Sequence, residues 1–385
     1  MSYPKAFVIV LDAFSSRYLS PRLSPCLYNL SQQWFYTTIK PVFAYGGIGF
    51  TLRTGLPISL TGVWGDHVLK KRNMKLVKSI LFKNSLKIID AFSIDDYENK
   101  ALRYALFKFF REKYGTPHLI PADLIEYFSV IDTPANKNVE CNDIFATLKK
   151  LNKNNAWVEP KLNFLEEKAL KNAASKLQFS DLVILKLNSL DRLGHRFGPL
   201  SKEVEARLKY LDHLLCVYVK KVLNKYPNLL LIIMSDHGMC PVLNTINIEQ
   251  KLKQLPLQMT KEYFAYIGTT LIHFWFLKEE AKRHVENMLQ KISKYGKILE
   301  DKDFLSMGLG RIDRRLYGET IFALYEHNIF HPDFYYKRRP PRGMHGYPYY
   351  TWDSAVFIAN NYDGKFKVNF ENIQQIILRH IAQDY

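Results

Sequence analysis

Residues 229–239 read LLLIIMSDHGM, an unbroken apolar run that meets an acid, an imidazole and a glycine at its end. A run of this length with no polar alternation is a strand covered on both faces. Asp236 and His237 stand where that strand gives way to a tight turn at Gly238. Residues 6–12 (AFVIVLD) and 181–187 (DLVILKL) have the same character, and Asp12 closes the first of them. Between the last two runs, Val204, Leu208, Leu211, Leu215, Val219 and Val222 recur at steps of three and four, which predicts a helix over about 201–223. Ser201 is placed to cap it, with Glu203 and Glu205 in the first turn. Strand, helix, strand predicts a doubly wound, mostly parallel α/β sheet with helices on both faces. Ligands of such sheets gather beyond the C-terminal strand ends, where Asp12, Asp191 and Asp236 fall.

Two further segments carry ligand-type side chains. LNSLDRLGHRFGP (187–199) sets Asp191 and His195 four residues apart, on one face of a helical turn. Alone that spacing is weak, and a solvated helix face is the bland alternative. PPRGMHGYP (340–348) places His345 between glycines, with room for the ring to turn inward. Asp12, Asp191, His195, Asp236, His237 and His345 together have the composition to hold two divalent cations about 4 Å apart, an arrangement suited to phosphoryl chemistry. Mixed imidazole and carboxylate ligands favour zinc, with manganese the second choice.

The chain of 385 residues is 47% hydrophobic, which marks a packed protein. Its net charge of +17 favours anionic partners. No phosphate-binding glycine loop, zinc finger or RNA-binding aromatic signature accompanies the charge, so no specific nucleic-acid partner is expected. The apolar run 229–234 is far shorter than the roughly 20 residues of a membrane span, and no transmembrane segment is expected. The chain enters its first strand without a signal-peptide pattern, which predicts a cytoplasmic protein. The four cysteines are scattered and form no C-x-x-C pair, against both a disulfide framework and a thiolate zinc site. The predicted organisation is a metal-binding α/β core from 1–66, 176–245 and 340–385, a basic helical insertion over 67–175, and a smaller α+β cap over 246–339.

Read in order, the Asp after the first strand, D-x-x-x-H-x-x-G-P, S-D-H-G-M and G-M-H-G-Y resemble the alkaline phosphatase superfamily. Among its branches they are most similar to the type I phosphodiesterases and nucleotide pyrophosphatases. SPCLYNLS (24–31) and TGLPISLTGVWG (54–65) resemble two further segments of those enzymes. The resemblance implies an alkaline-phosphatase-like core in which Asp191, His195 and His345 hold one metal ion. Asp12, Asp236 and His237 would hold the other. It implies a two-metal phosphoester hydrolase, a phosphodiesterase or pyrophosphatase acting on an anionic phosphate ester. A phosphomonoesterase or phosphomutase, or a metal-binding pseudoenzyme, are the alternatives.

One position departs from the family pattern. In PVFAYGGIGFTLRTGL (41–56), Tyr45 or Gly46 falls where the family places a Ser or Thr nucleophile. Attack by a cation-activated hydroxide, attack by Thr51 or Tyr45 in a shifted geometry, and metal binding without turnover all stay open. Arg53 and Arg342 are the expected substrate contacts, as guanidinium forks suited to phosphate. His67 is expected at the surface or against the cap, and His273 in the core. Phe43, Tyr45, Trp64 and Tyr347 are read as core aromatics, with stacking on a base or sugar the alternative.

Overall fold

A computed structural model describes residues 4–41, 43, 47–65, 67–70, 76–112, 119–130, 143–160, 165–348, 352 and 354–382. In it the three apolar runs lie side by side. In chain order the core elements are β1 (Ala6–Leu11), α1 (Pro25–Gln33), β2 (Phe35–Ile39), α2 (Gly47–Thr54), β3 (Asn155–Val158) and α3 (Glu166–Lys176). They continue with β4 (Leu182–Leu187), α4 (Ser189–Phe197), α5 (Lys202–Lys225), β5 (Leu230–Met234), β6 (Ala355–Ala359) and α6 (Phe370–Ala382). The sheet order is β2-β6-β5-β1-β4-β3. Both neighbours of β1 run parallel to it, as β3 does to β4, and β6 runs antiparallel to β5 and β2.

The apolar runs are continuous because both faces of each strand are covered. Phe7, Ile9, Leu11, Leu185 and Ile233 pack on one side against Leu27 of α1, Leu170 of α3 and Leu208, Leu211 and Leu215 of α5. Val8, Val10, Ile184, Ile232 and Met234 pack on the other against Leu52 of α2 and Ile373 and Ile377 of α6. Ser201 caps α5 by accepting from the Val204 N–H at 3.2 Å. From the middle of α5, Asp212 reaches the start of α1 and accepts from Cys26 N at 3.0 Å and Leu27 N at 2.9 Å. A carboxylate there satisfies the free N–H groups of the helix start and complements its dipole.

Register fixes where the site forms. Leu11 is level with Leu187, and Val10 with Met234. The residues that follow β1, β4 and β5 therefore leave the sheet along one edge.

The segment 67–175 is divided between two environments. Strand β3 extends the central sheet beyond β4, and α3 packs on it. The helices Leu76–Phe92 and Asp96–Phe109 instead bury Phe82, Leu86 and Phe107 in a separate cluster with Ile267, Phe274 and Phe330. That cluster belongs to a second, antiparallel sheet of Tyr263–Ile267, Leu271–Phe276, Thr320–Leu324 and Gly296–Ile298. The helix Glu279–Gln290 covers it with Ala281, Val285 and Leu289. The stretch 132–142 lies outside the described residues.

Leu185 is fully buried in the middle of β4. Leu185→Ala is expected to lower the unfolding free energy by about 2–5 kcal/mol, read as a fall in the urea midpoint at unchanged slope.

Candidate metal centre

Four segments deliver ligand-type side chains to the sheet edge. Asp12 follows β1 directly, its N–H continuing the ladder to Leu187 O at 2.9 Å. The next residue, Ala13, takes a left-handed φ of 62°, a conformation that costs an L side chain about 1–2 kcal/mol. The turn brings its N–H to 3.3 Å from Asp236 Oδ1. Asp236 and His237 follow β5, and the His237 N–H donates to Asp236 Oδ1 at 3.0 Å. Asp191 and His195 lie one turn apart on α4, with His195 Nε2 3.2 Å from Asp191 Oδ1. A short antiparallel pairing of Gly343–Met344 with Cys240–Pro241 carries His345 in. Its ring stacks on that of His237, centroids 3.8 Å apart, and its Nε2 lies 3.5 Å from Asp191 Oδ1.

The six residues singled out from the sequence therefore converge. Asp191, His237 and His345 each offer a donor atom within 4.8 Å of the others, and so do Asp12, Asp236 and His237. His237 belongs to both groups, and His195, which is in neither, reaches Asp191 Oδ1 with its Nε2 at 3.2 Å.

Tautomers show that this cluster suits cations. His195 Nδ1 lies 2.8 Å from Gly343 O, and His237 Nδ1 2.8 Å from Gly238 O. A carbonyl can only accept, so each Nδ1 carries the proton, and in the neutral ring Nε2 presents a lone pair. These lone pairs face carboxylate oxygens: His195 faces Asp191 Oδ1 at 3.2 Å, and His237 faces Asp12 Oδ1 at 3.4 Å. Asp191 Oδ1 is buried without a hydrogen-bond donor among the described residues. A lone pair facing an oxygen needs a cation between the two, either a proton, which Asp191 favours on His195 against the effect of burial, or a metal ion. Ligands held at about 2.0–2.2 Å around a tetrahedral ion are separated by just such distances. The donor set fits a divalent metal.

The metal-free electrostatics carry the same message. Burial, with the charges of Asp236 and Asp191, pushes the Asp12 carboxyl up to about 7. Burial also disfavours charge on Asp191, but His195 and His345 outweigh it and hold that group well below the usual carboxylate range. Asp236 is brought down to about 2, its burial outweighed by His237 and Lys186. Burial and the neighbouring His237 lower His345 to about 4.

Lys186 was not singled out from the sequence. Its Nζ lies 2.8 Å from Asp12 Oδ2 and 3.2 Å from Asp236 Oδ2. A lone lysine in the otherwise apolar strand LVILKL was the available signal.

The other expected residues are placed as follows. Tyr45 and Gly46 lie outside the described residues. Thr51 is buried in α2, and its Oγ1 has no hydrogen-bond partner among the described residues. Arg53, expected at the substrate, instead pairs with Asp143, its Nε 2.8 Å from Oδ2. The exposed guanidinium finds its partner at the start of the helix Ile144–Lys150, which packs against α2. Arg342 is exposed and its N–H donates to His195 O at 2.8 Å, so it borders the centre. His67 is buried and stacks on Tyr266, a residue of the antiparallel sheet, with Nδ1 3.0 Å from its hydroxyl. His273 is a core histidine held by Tyr317 O at 2.7 Å and lowered to about 4 by burial. Phe43 and Trp64 stack on each other in the core, and the buried Tyr347 donates to Asn328 O at 3.0 Å.

Residues 6–347 match the model of the type I phosphodiesterase / nucleotide pyrophosphatase family. The chain belongs to this family. Its members hydrolyse phosphoester bonds, and this phosphodiesterase/pyrophosphatase is an enzyme of that class. No curated protein matches it in sequence. Among solved structures it is similar to murine ectonucleotide pyrophosphatase/phosphodiesterase 5, an inactive form in complex with AMP. The TM-score is 0.66 at 15% identity, covering 98% of this chain and 95% of that one. The human counterpart superposes with the same TM-score at 16% identity and the same coverage. These likenesses give the phosphodiesterase its alkaline-phosphatase-like fold.

Two predictions follow from this geometry. Asp12 must lose its proton to act as a ligand, so the enzyme's affinity for divalent metal should fall as pH drops through about 7. Titration calorimetry in buffers of different ionisation enthalpy should register the released proton. A Cβ at Gly343 would sit 2.6 Å from Gly194 O and 2.8 Å from Pro199 Cδ. Gly343→Ala should therefore push His345 off α4, destabilise the fold by about 1–3 kcal/mol and lower metal content, read by thermal unfolding and elemental analysis.

Proposed function

We propose that this family member is a two-metal phosphodiesterase or pyrophosphatase. One divalent cation would be held by Asp191, His195 and His345, and the second by Asp12, Asp236 and His237. The single observation that carries the reading is the facing of imidazole lone pairs and carboxylate oxygens across both halves of the centre. Zinc fits the mixed donor set best, with manganese the alternative. Bound cations supply Lewis acidity toward the phosphoryl oxygens and the leaving group.

The protein's own groups do the rest. The His237 ring stacks on that of His345 at 3.8 Å and so joins the two halves. The carbonyls of Gly343 and Gly238 hold His195 and His237 in the metal-binding tautomer. A cleft of about 1030 Å³ opens beside His195, walled by Arg196, Tyr336, Arg338, Arg339 and Arg342. Its arginines, which share the cleft with Asp95, Asp96 and Glu203, support an anionic ester as the substrate and Arg342 as a contact to it. AMP in the murine structure supports a nucleotide-type substrate.

Zinc- or manganese-loaded protein should hydrolyse bis-p-nitrophenyl phosphate faster than p-nitrophenyl phosphate. His237→Ala should lower kcat/KM for the diester by about 100-fold or more while the far-ultraviolet circular dichroism is unchanged. Preference for the monoester would favour a phosphomonoesterase. Full diesterase activity of metal-stripped protein would overturn the two-metal reading.

A further inference from the structure

The carboxylates of Asp12 and Asp236 are each divided between two partners. Their Oδ1 atoms turn toward His237 Nε2, at 3.4 and 3.8 Å. Their Oδ2 atoms converge on Lys186 Nζ, at 2.8 and 3.2 Å. Lys186 is the penultimate residue of β4 and sits level with Val10, so its stem rises between β1 and the sheet edge. Strand position, and not a flexible loop, fixes where the ammonium stands.

This makes the two halves of the centre electrostatically alike in total and unlike in content. The Asp191/His195/His345 half has one carboxylate and no ammonium in contact among the described residues. The Asp12/Asp236/His237 half has two carboxylates, and Lys186 cancels one of their charges. A divalent ion on the Oδ1 side therefore meets a fixed like charge on the far side of the same two carboxylates. The ammonium also occupies the second oxygen of each, so neither can chelate with both oxygens.

We propose that Lys186 is a built-in cation that weakens the Asp12/Asp236/His237 half-site. The tight ion sits at Asp191/His195/His345, and the second ion exchanges readily. The proposal rests on the two-metal reading above. Its experiment separates the two.

Apo-protein is titrated with zinc against a chromophoric chelator, and with cobalt(II) monitored by its visible absorption. The wild type should take up one tight ion and a second that binds about tenfold or more weakly. Lys186→Met keeps the length of the stem and removes the charge; it should tighten the second ion about tenfold or more and leave the first unchanged. Lys186→Arg should retain the wild-type pattern. The unchanged first ion reports that each variant is folded at the centre. A second ion that binds equally well in wild type and Lys186→Met, or more weakly in the variant, overturns the proposal. His345→Ala tests the underlying reading separately: it should abolish the tight ion. If it does not, the two-metal assignment fails whatever Lys186 does.

Discussion

Three carboxylates, Asp12, Asp191 and Asp236, are brought together at one sheet edge, and the rest of the centre answers to their mutual repulsion. In water such a cluster would be screened. Here Asp12 and Asp236 are largely withdrawn from solvent, and charge can survive there only beside a compensating cation. Asp12 and Asp236 share such a partner, and Asp191 lies between two imidazoles. His195 and His345 face Asp191, while Lys186 spans Asp12 and Asp236. Asp12 remains the least compensated, which is why its proton is held up to about 7. A divalent ion resolves what proton and ammonium resolve only in part, and the site's appetite for metal is the same fact as its electrostatic strain.

The sheet produces this concentration of charge by ordinary means. Parallel strands end in register, so residues following β1, β4 and β5 leave along one edge, and apolar packing on both faces holds that register. A shift of one residue in any of the three strands would exchange the faces of every side chain and move its acid away from the others. Fold stability and site geometry are thus one quantity at β1, β4 and β5.

Those parts were legible in the sequence for the same reason. Unbroken aliphatic runs, the steps of three and four from Val204 to Val222, and acids at strand ends are local signals. The six ligand-type residues sit beside them. Lys186 was not legible, because its role depends on Asp12 and Asp236, which approach it only through the β1–β4 and β1–β5 pairings. The ion pair of Arg53 was not legible for a related reason. Its partner Asp143 is 90 residues away in the chain, and a guanidinium next to a phosphatase-like motif gives no hint of that ion pair. Strand β3 reads as part of a helical stretch because Asn155–Val158 is short and half exposed, and only pairing with β4 marks it.

The histidines explain how a centre of this kind tolerates a diverged sequence. His195 is oriented by Gly343 O and His237 by Gly238 O. Both are backbone carbonyls, and every residue type supplies one. The requirement falls on chain path rather than on side-chain identity, and it is strict only at close approach. There Gly343 passes against Gly194 O and Pro199, leaving no room for a Cβ. Two glycines and a register thus do work that would otherwise need a set of specific polar side chains. A fold retained at 15% identity is consistent with demands of that form.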